Sequence, residues 1–194
     1  MRQGLTIRLR QTTVMRMMTS DEDLATAAAA GDGAAFAGLL DRHYDRLFAF
    51  CFRLTGVRSE AEDLTQDICA ALPAKLVSYQ RRAKVTTWLY RVAVNAAHDR
   101  RRKRATYAKA TTGWGDWEVN RTAEINETTE KLDWMTAAMN QLNDDLRDTL
   151  ALVLDDLTHE QAAEVLDVSE GTVSWRISEA KKALRAIKEQ EDMV

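Results

Sequence analysis

Apolar residues spaced three and four apart constrain this chain more than any other feature. Phe36, Leu39, Leu40, Tyr44, Leu47, Phe48 and Cys51 fall on one arc of a helix, the spacing that buries one side and leaves the other in water. The same spacing returns in Ala61, Leu64, Ile68, Ala71 and Leu72, and again in Trp134, Met135, Ala138, Met139 and Leu142. With 1 proline in 194 residues and almost no β-branched alternation, the pattern predicts an all-α fold with short connections. No run of about 18 apolar residues exists, so no membrane insertion is expected. Cys51 and Cys69 have neither a CxxC spacing nor a histidine cluster nearby. They read as small buried hydrophobes in a reducing, cytoplasmic setting, and no metal or cofactor is expected.

Local signals punctuate the helices. Ser20 is a plausible N-cap ahead of Asp21, Glu22 and Asp23, and Gly31-Asp32-Gly33 breaks the helix that follows. A second helix runs to about Leu54 and ends at Gly56. Ser59, with Glu62 three residues on, predicts a capping box for a third helix from Glu60 to about Val77. Pro73 should kink or shorten it. A polar loop over Ser78–Lys84 precedes a fourth helix. Periodicity fades from Ala105 to about Glu130, where Thr, Gly and acids surround Trp114 and Trp117, and a flexible acidic linker is expected there. Residues 1–18 hold four arginines and no acid and read as a disordered N-terminal extension. Two small helical domains follow, over 19–104 and 131–190, joined by the linker 105–130.

The fourth helix carries an unusual charge. From Arg81 to Arg104 there are nine Lys or Arg residues against one acid, Asp99, in a chain of net charge −3. In Thr86–Arg104, Trp88, Leu89, Val92, Ala93 and Ala96 share one arc. Tyr90, Arg91, Val94, His98, Arg101 and Arg102 occupy the other. One face suits a core and the other a polyanion, nucleic acid first. A solvated basic helix end, favoured by the helix dipole, is the plainer reading. Acids gather instead at 116–133 and 144–164, a segregation that suits DNA patches or acidic faces for a protein partner.

Leu157–Arg185 has a second pattern. Thr158 and Gln161 form a capping box, Asp167-Val168-Ser169 makes a short turn, and Ser169 caps a helix with Val173, Ile177, Ala180 and Leu184 inward. That is the plan of a helix-turn-helix, whose second helix enters the major groove; an ordinary helical hairpin has the same spacing. The residues placed to face DNA are Glu170, Thr172, Ser174, Trp175, Arg176, Ser178 and Glu179, then Lys181, Lys182 and Arg185.

Three stretches, AEDLTQDI at 61–68, TWLYRVAVNAAHDRRRKR at 87–104 and LTHEQAAEVLDVSEGTVSWRI at 157–177, resemble bacterial extracytoplasmic-function RNA polymerase sigma factors over about residues 20–188. The resemblance implies a sigma region 2 domain and a sigma region 4 domain. It implies that Glu62, Asp63, Gln66 and Asp67 contact core RNA polymerase. It implies that the loop with Tyr79, Gln80, Arg81, Arg82 and Lys84 holds a flipped −10 base. Tyr90, Arg91, Asn95 and His98 would then line that strand, and Arg100, Arg101, Arg102, Lys103 and Arg104 would hold phosphates. In region 4, Thr158, Glu170, Thr172, Ser174, Trp175, Arg176, Ser178, Lys181 and Lys182 would contact the −35 element of promoter DNA. An anti-sigma factor is the further partner implied.

The sequence departs from the family where Ser174 replaces a basic residue, Trp175 a small polar one and Glu179 a frequent arginine. Fewer cations weaken phosphate and guanine contacts, and Trp175 is free to pack on a thymine methyl or a sugar edge. A transcription initiation factor that does no chemistry of its own is the expected function. The alternative is a sigma-like mimic that sequesters an anti-sigma factor without initiating transcription. A stand-alone helix-turn-helix repressor leaves 61–104 unexplained, and no phosphate loop or nucleophile–base motif favours an enzyme.

Overall fold

The computed structural model describes residues 20–111 and 130–192, with side chains over 20–107 and 134–192. The N-terminal extension, Trp114 and Trp117 lie outside the described residues. Among those described there are eight helices and no strand: α1 (Asp21–Ala29), α2 (Gly33–Thr55), α3 (Arg58–Leu76), α4 (Val85–Thr111), α5 (Glu130–Gln141), α6 (Asp144–Val153), α7 (His159–Leu166) and α8 (Glu170–Glu191).

The first four helices wrap a core of Leu39, Phe50, Leu54, Leu64, Ile68, Leu72, Val85 and Leu89. Each side chain here removes apolar surface from water, at roughly 25 cal/mol per Å². Ser20 caps α1 by accepting from the Asp23 amide at 3.1 Å. Asp21 ties α1 to α2 through Arg42 at 2.7 Å and His43 at 2.8 Å. Burial works against its charge, but these two partners outweigh that and hold its carboxyl below the usual range. Cys51 is fully buried, and burial pushes its thiol up to about 11.

Three details differ from the sequence expectation. Ser59 does not cap α3: the helix starts at Arg58 after an extended Val57 that supplies no side-chain cap, because Gly56 has already turned the chain. Pro73 lies inside α3, which continues to Leu76. The basic helix does not stop at Arg104 but runs through Thr111, since 105–111 contains three alanines and a lysine, all good helix formers. The all-α class stands.

The remaining helices surround Met139, Leu142, Leu150, Leu152, Ala162, Val165, Val173 and Ile177. The two cores merge into one cluster: α2 packs on α6, and α4 packs on α7. The cover over α4 explains why Val94, expected on its outward arc, is only 2% exposed.

Gly56 lies where the backbone of α2 meets a side chain of α5. Its φ of +68° is left-handed, which favours glycine, and a Cβ there would sit 1.8 Å from Asn140 Oδ1. Asn140 Nδ2 donates to the Gly56 carbonyl at 3.4 Å. Gly56→Ala is therefore expected to lower the melting temperature and to force α5 away from α2. Adding Asn140→Ala should restore compactness in small-angle scattering, leaving only the backbone strain, about 1 kcal/mol.

Candidate nucleic-acid interface

Three cation-bearing positions of α4, Arg91, His98 and Arg101, meet carboxylates of the second half. Asp148, on α6, is 1% exposed. Its Oδ2 lies 2.7 Å from His98 Nε2 and 2.5 Å from Arg101 Nη2, and Arg101 Nη1 reaches Oδ1 at 3.1 Å. Arg101 also approaches Asp144 at 3.4 Å. Two to three turns earlier on α4, Arg91 donates to the Glu164 carbonyl and lies 3.8 Å from that residue's carboxylate. A carboxylate taken out of water costs several kcal/mol unless paired and hydrogen-bonded. The fork of Arg101 and the imidazole of His98 meet that requirement for Asp148.

A second contact lies beside it. Asp155, just past α6, accepts from Arg53 at 2.5 Å and stands 3.7 Å from Arg46, both on α2. Arg46 also donates to the Asp155 carbonyl at 2.8 Å and lies 5.8 Å from the centroid of the Tyr90 ring. Tyr90 was expected on the strand-facing side of the basic helix. It is instead 3% exposed, with its ring 4.5 Å from that of Phe50. Burial, and then the nearby Asp155 charge, raise the pKa of its hydroxyl. Tyr90 is thus buried and Arg101 half-buried in this arrangement; Arg91, Asn95, His98, Arg102 and Lys103 are exposed, Arg91 and His98 while engaged by second-half acids.

The end of α4 is largely neutralised within the first half. Arg100 pairs with Asp67 at 2.9 Å, Arg104 with Glu60 at 2.9 Å and Arg102 with Asp99 at 2.9 Å. A cleft lined by Arg100, Arg101, Arg104 and Arg147 opens between the halves. Each guanidinium there already has a carboxylate partner, Arg147 that of Asp144, so the cleft offers an anion no excess of charge.

The loop before α4 bonds to the first half only. Tyr79 donates to the Ala83 carbonyl at 2.8 Å, and its ring lies 5.4 Å from that of Trp88. Arg81 adopts a left-handed φ of 56° and reaches Asp23 at 3.0 Å. Gln80, Arg82 and Lys84 are exposed. On α3, Asp63, Gln66 and Asp67 are exposed, with Asp67 paired to Arg100 of the same half, and Glu62 pairs with Arg58 at 3.0 Å.

In the second half, α7 and α8 have the expected helix-turn-helix form. The Thr158–Gln161 capping box is complete, Asp167 takes a left-handed φ of 55°, and Ser169 caps α8. Along α8, Glu170, Ser174, Trp175, Ser178, Lys181 and Lys182 are exposed, and Thr172 is half-buried. Arg176 is the exception: it turns back to Asp145 on α6 at 2.7 Å, with its side chain 13% exposed. Sequence reasoning missed the acids that matter most here, Asp148 and Asp155. The acidic stretch 144–164 beside a basic one was the available signal.

Comparison with known proteins accords with this geometry. The sigma-70 region 2 family model matches residues 39–107, and the sigma-70 region 4 family model matches residues 132–184. The ECF RNA polymerase sigma factor SigM of Mycobacterium tuberculosis is 32% identical over 166 residues, covering 85% of this chain and 83% of the relative. SigW of Bacillus subtilis, another ECF RNA polymerase sigma factor, is 29% identical over 167 residues, covering 80% and 89%. Among solved structures, the sigma factor RpoE of Bartonella quintana, in complex with the anti-sigma factor NepR, superposes with a TM-score of 0.68 at 24% identity. That alignment spans 79% of this chain and 96% of that one. CnrH, in complex with the cytosolic domain of CnrY, gives 0.65 at 23% identity over 89% and 99%. Both structures share the fold. By its matched regions and its sequence relatives, the chain belongs to the extracytoplasmic-function sigma factors of the sigma-70 family.

Proposed function

We propose that this chain binds core RNA polymerase in the cytoplasm, directs it to promoters with −35 and −10 elements and assists melting of the −10 region. The nucleotide chemistry belongs to the polymerase, and the chain itself acts as a binding factor. The observation that carries this reading is the contrast between two faces of the first half. Asp63, Gln66 and Asp67 are exposed and meet nothing from the second half, Asp67 pairing only with Arg100 of its own half, whereas His98 and Arg101 are held by Asp148 of the second half. Complementary charge on an open face orients and speeds encounter with a basic partner. A covered cationic face, by contrast, cannot reach phosphates until its carboxylates leave.

The polymerase therefore docks first, on α3, and the two halves separate on its surface. Phosphates of the −10 strand then take the places of Asp148 and Glu164 beside His98, Arg101 and Arg91, while Gln80, Arg82 and Lys84 of the loop meet the flipped base. Residues 19–104 act as the region 2 domain and 131–190 as the region 4 domain. The Bartonella sigma factor RpoE was solved in complex with an anti-sigma factor; for this chain, the role proposed for such a partner is to hold it in reserve by stabilising the closed arrangement.

Asp63→Arg together with Asp67→Arg should weaken binding to purified core polymerase at least about tenfold, measured by competition for core against a second sigma factor, without loss of helicity. Binding at wild-type strength would contradict the assignment of α3. Asp148→Asn removes the charge that His98 and Arg101 share, in a class of change that costs about 3–5 kcal/mol when a buried pair is broken. Its radius of gyration by small-angle scattering should rise, its circular dichroism should not change, and its affinity for single-stranded −10 DNA without polymerase should increase.

A further inference from the structure

The helix that faces the major groove has lost its cation where base edges are met. Over residues 170–178 the only basic residue is Arg176, and Asp145 holds it against α6 at 2.7 Å. Lys182, one turn further, pairs with Glu179 at 2.6 Å. Lys181 and Arg185 are exposed, but they lie beyond the N-terminal turns that reach base edges and sit where a helix passes the phosphates. Bidentate guanine readout needs a free Arg or Lys in the first turns, and α8 presents none.

What it presents instead is an indole. Trp175 is 61% exposed although tryptophan is among the costliest side chains to leave in water. It shares a stripe with Gly171, Ser174 and Ser178, opposite the buried Val173, Ile177 and Ala180. Helical side chains lean toward the N-terminus over the residue four earlier, which here is Gly171. A Cβ at Gly171 would meet nothing nearer than Ser169 Oγ at 3.7 Å, so the fold does not need glycine there. Gly171 is the second residue of α8, and its absence of side chain leaves room on the stripe beside the ring where the edge of a base pair can approach. Ser174 is steadied on the same stripe by His159 Nδ1, 3.1 Å from its hydroxyl.

We propose that Trp175 is the specificity-determining residue of the −35 contact, reading a thymine through its C5-methyl group in the space above Gly171. The inference rests on the sigma-factor reading of the preceding subsection and adds the chemistry of its selectivity. Among the four bases only thymine offers an apolar group in the major groove. An exposed ring flanked by serine hydroxyls and lacking a free cation selects it over guanine.

The test uses core polymerase reconstituted with the full chain and a promoter library randomised over the −35 element. The selected element should contain a thymine at which deoxyuridine, which lacks only the methyl, lowers open-complex formation about fourfold, the effect of burying one methyl group. Holoenzyme with Trp175→Ala should lose that difference, and Trp175→Phe should keep part of it. Equal sensitivity to deoxyuridine in wild type and Trp175→Ala would overturn the inference. So would wild-type initiation by Trp175→Ala, which would make the indole a protein-docking group. Failure of the wild-type holoenzyme to select any element would instead bring down the sigma reading itself, and this inference with it.

Discussion

Asp148 is the hinge of the closed arrangement. A carboxylate left 1% exposed is tolerable only while His98 and Arg101 stay against it, and those two residues sit on the helix whose cations suit a nucleic-acid backbone. The groups that would hold phosphate in an open molecule thus hold carboxylate in the closed one. The same logic extends to Glu164 beside Arg91 and to Asp155 between Arg46 and Arg53. Under the proposed function, opening exchanges one set of anions for another around Arg91, His98 and Arg101. The difference in free energy between closed and open states is far smaller than the sum of the pairs.

In the proposed mechanism, this exchange orders the events of initiation. The exposed face of α3 with Asp63, Gln66 and Asp67 is outside the closure, so a partner that recognises it needs no prior opening. Tyr90 is packed against Phe50 and beneath Arg46, both on α2, so the contacts that cover its ring lie within the first half. Gly56 and Asn140 show how close the halves come: the helix end at Gly56 both terminates α2 and makes room for a side chain from α5.

Much of the local structure was legible in the sequence. The caps at Ser20, Thr158 and Ser169, the stop at Gly56 and the left-handed Asp167 follow from side-chain chemistry within a few residues, and the structure has them all. What was not legible depends on distant partners. Amphipathic spacing assigns each helix one buried face, but α6 is sandwiched, so Arg147, Asp148 and Thr149 are buried together with Leu150, Ala151 and Leu152. For the same reason Tyr90 and Val94 were assigned to an outer face of α4 that α2 and the second half in fact cover. The acids at 144–164 read as a surface for a second protein, and their partner is the basic helix of the same chain. Arg176 looked like a base-reading cation because helix-turn-helix spacing places it well; only the position of Asp145 on α6 takes it away. Ser59 had the residue types of a capping box, yet the chain direction leaving Gly56 had already started the helix at Arg58.

The central claim is that the free chain covers its own cationic helix and that core polymerase uncovers it. A pair of spin labels on the exposed positions Asn95 of α4 and Glu160 of α7, read by pulsed dipolar spectroscopy, tests this directly. The free protein should give one short, narrow distance, and addition of core polymerase should replace it with a distance set by separated halves. An unchanged short distance on polymerase, or a broad distribution in the free chain, would contradict the account.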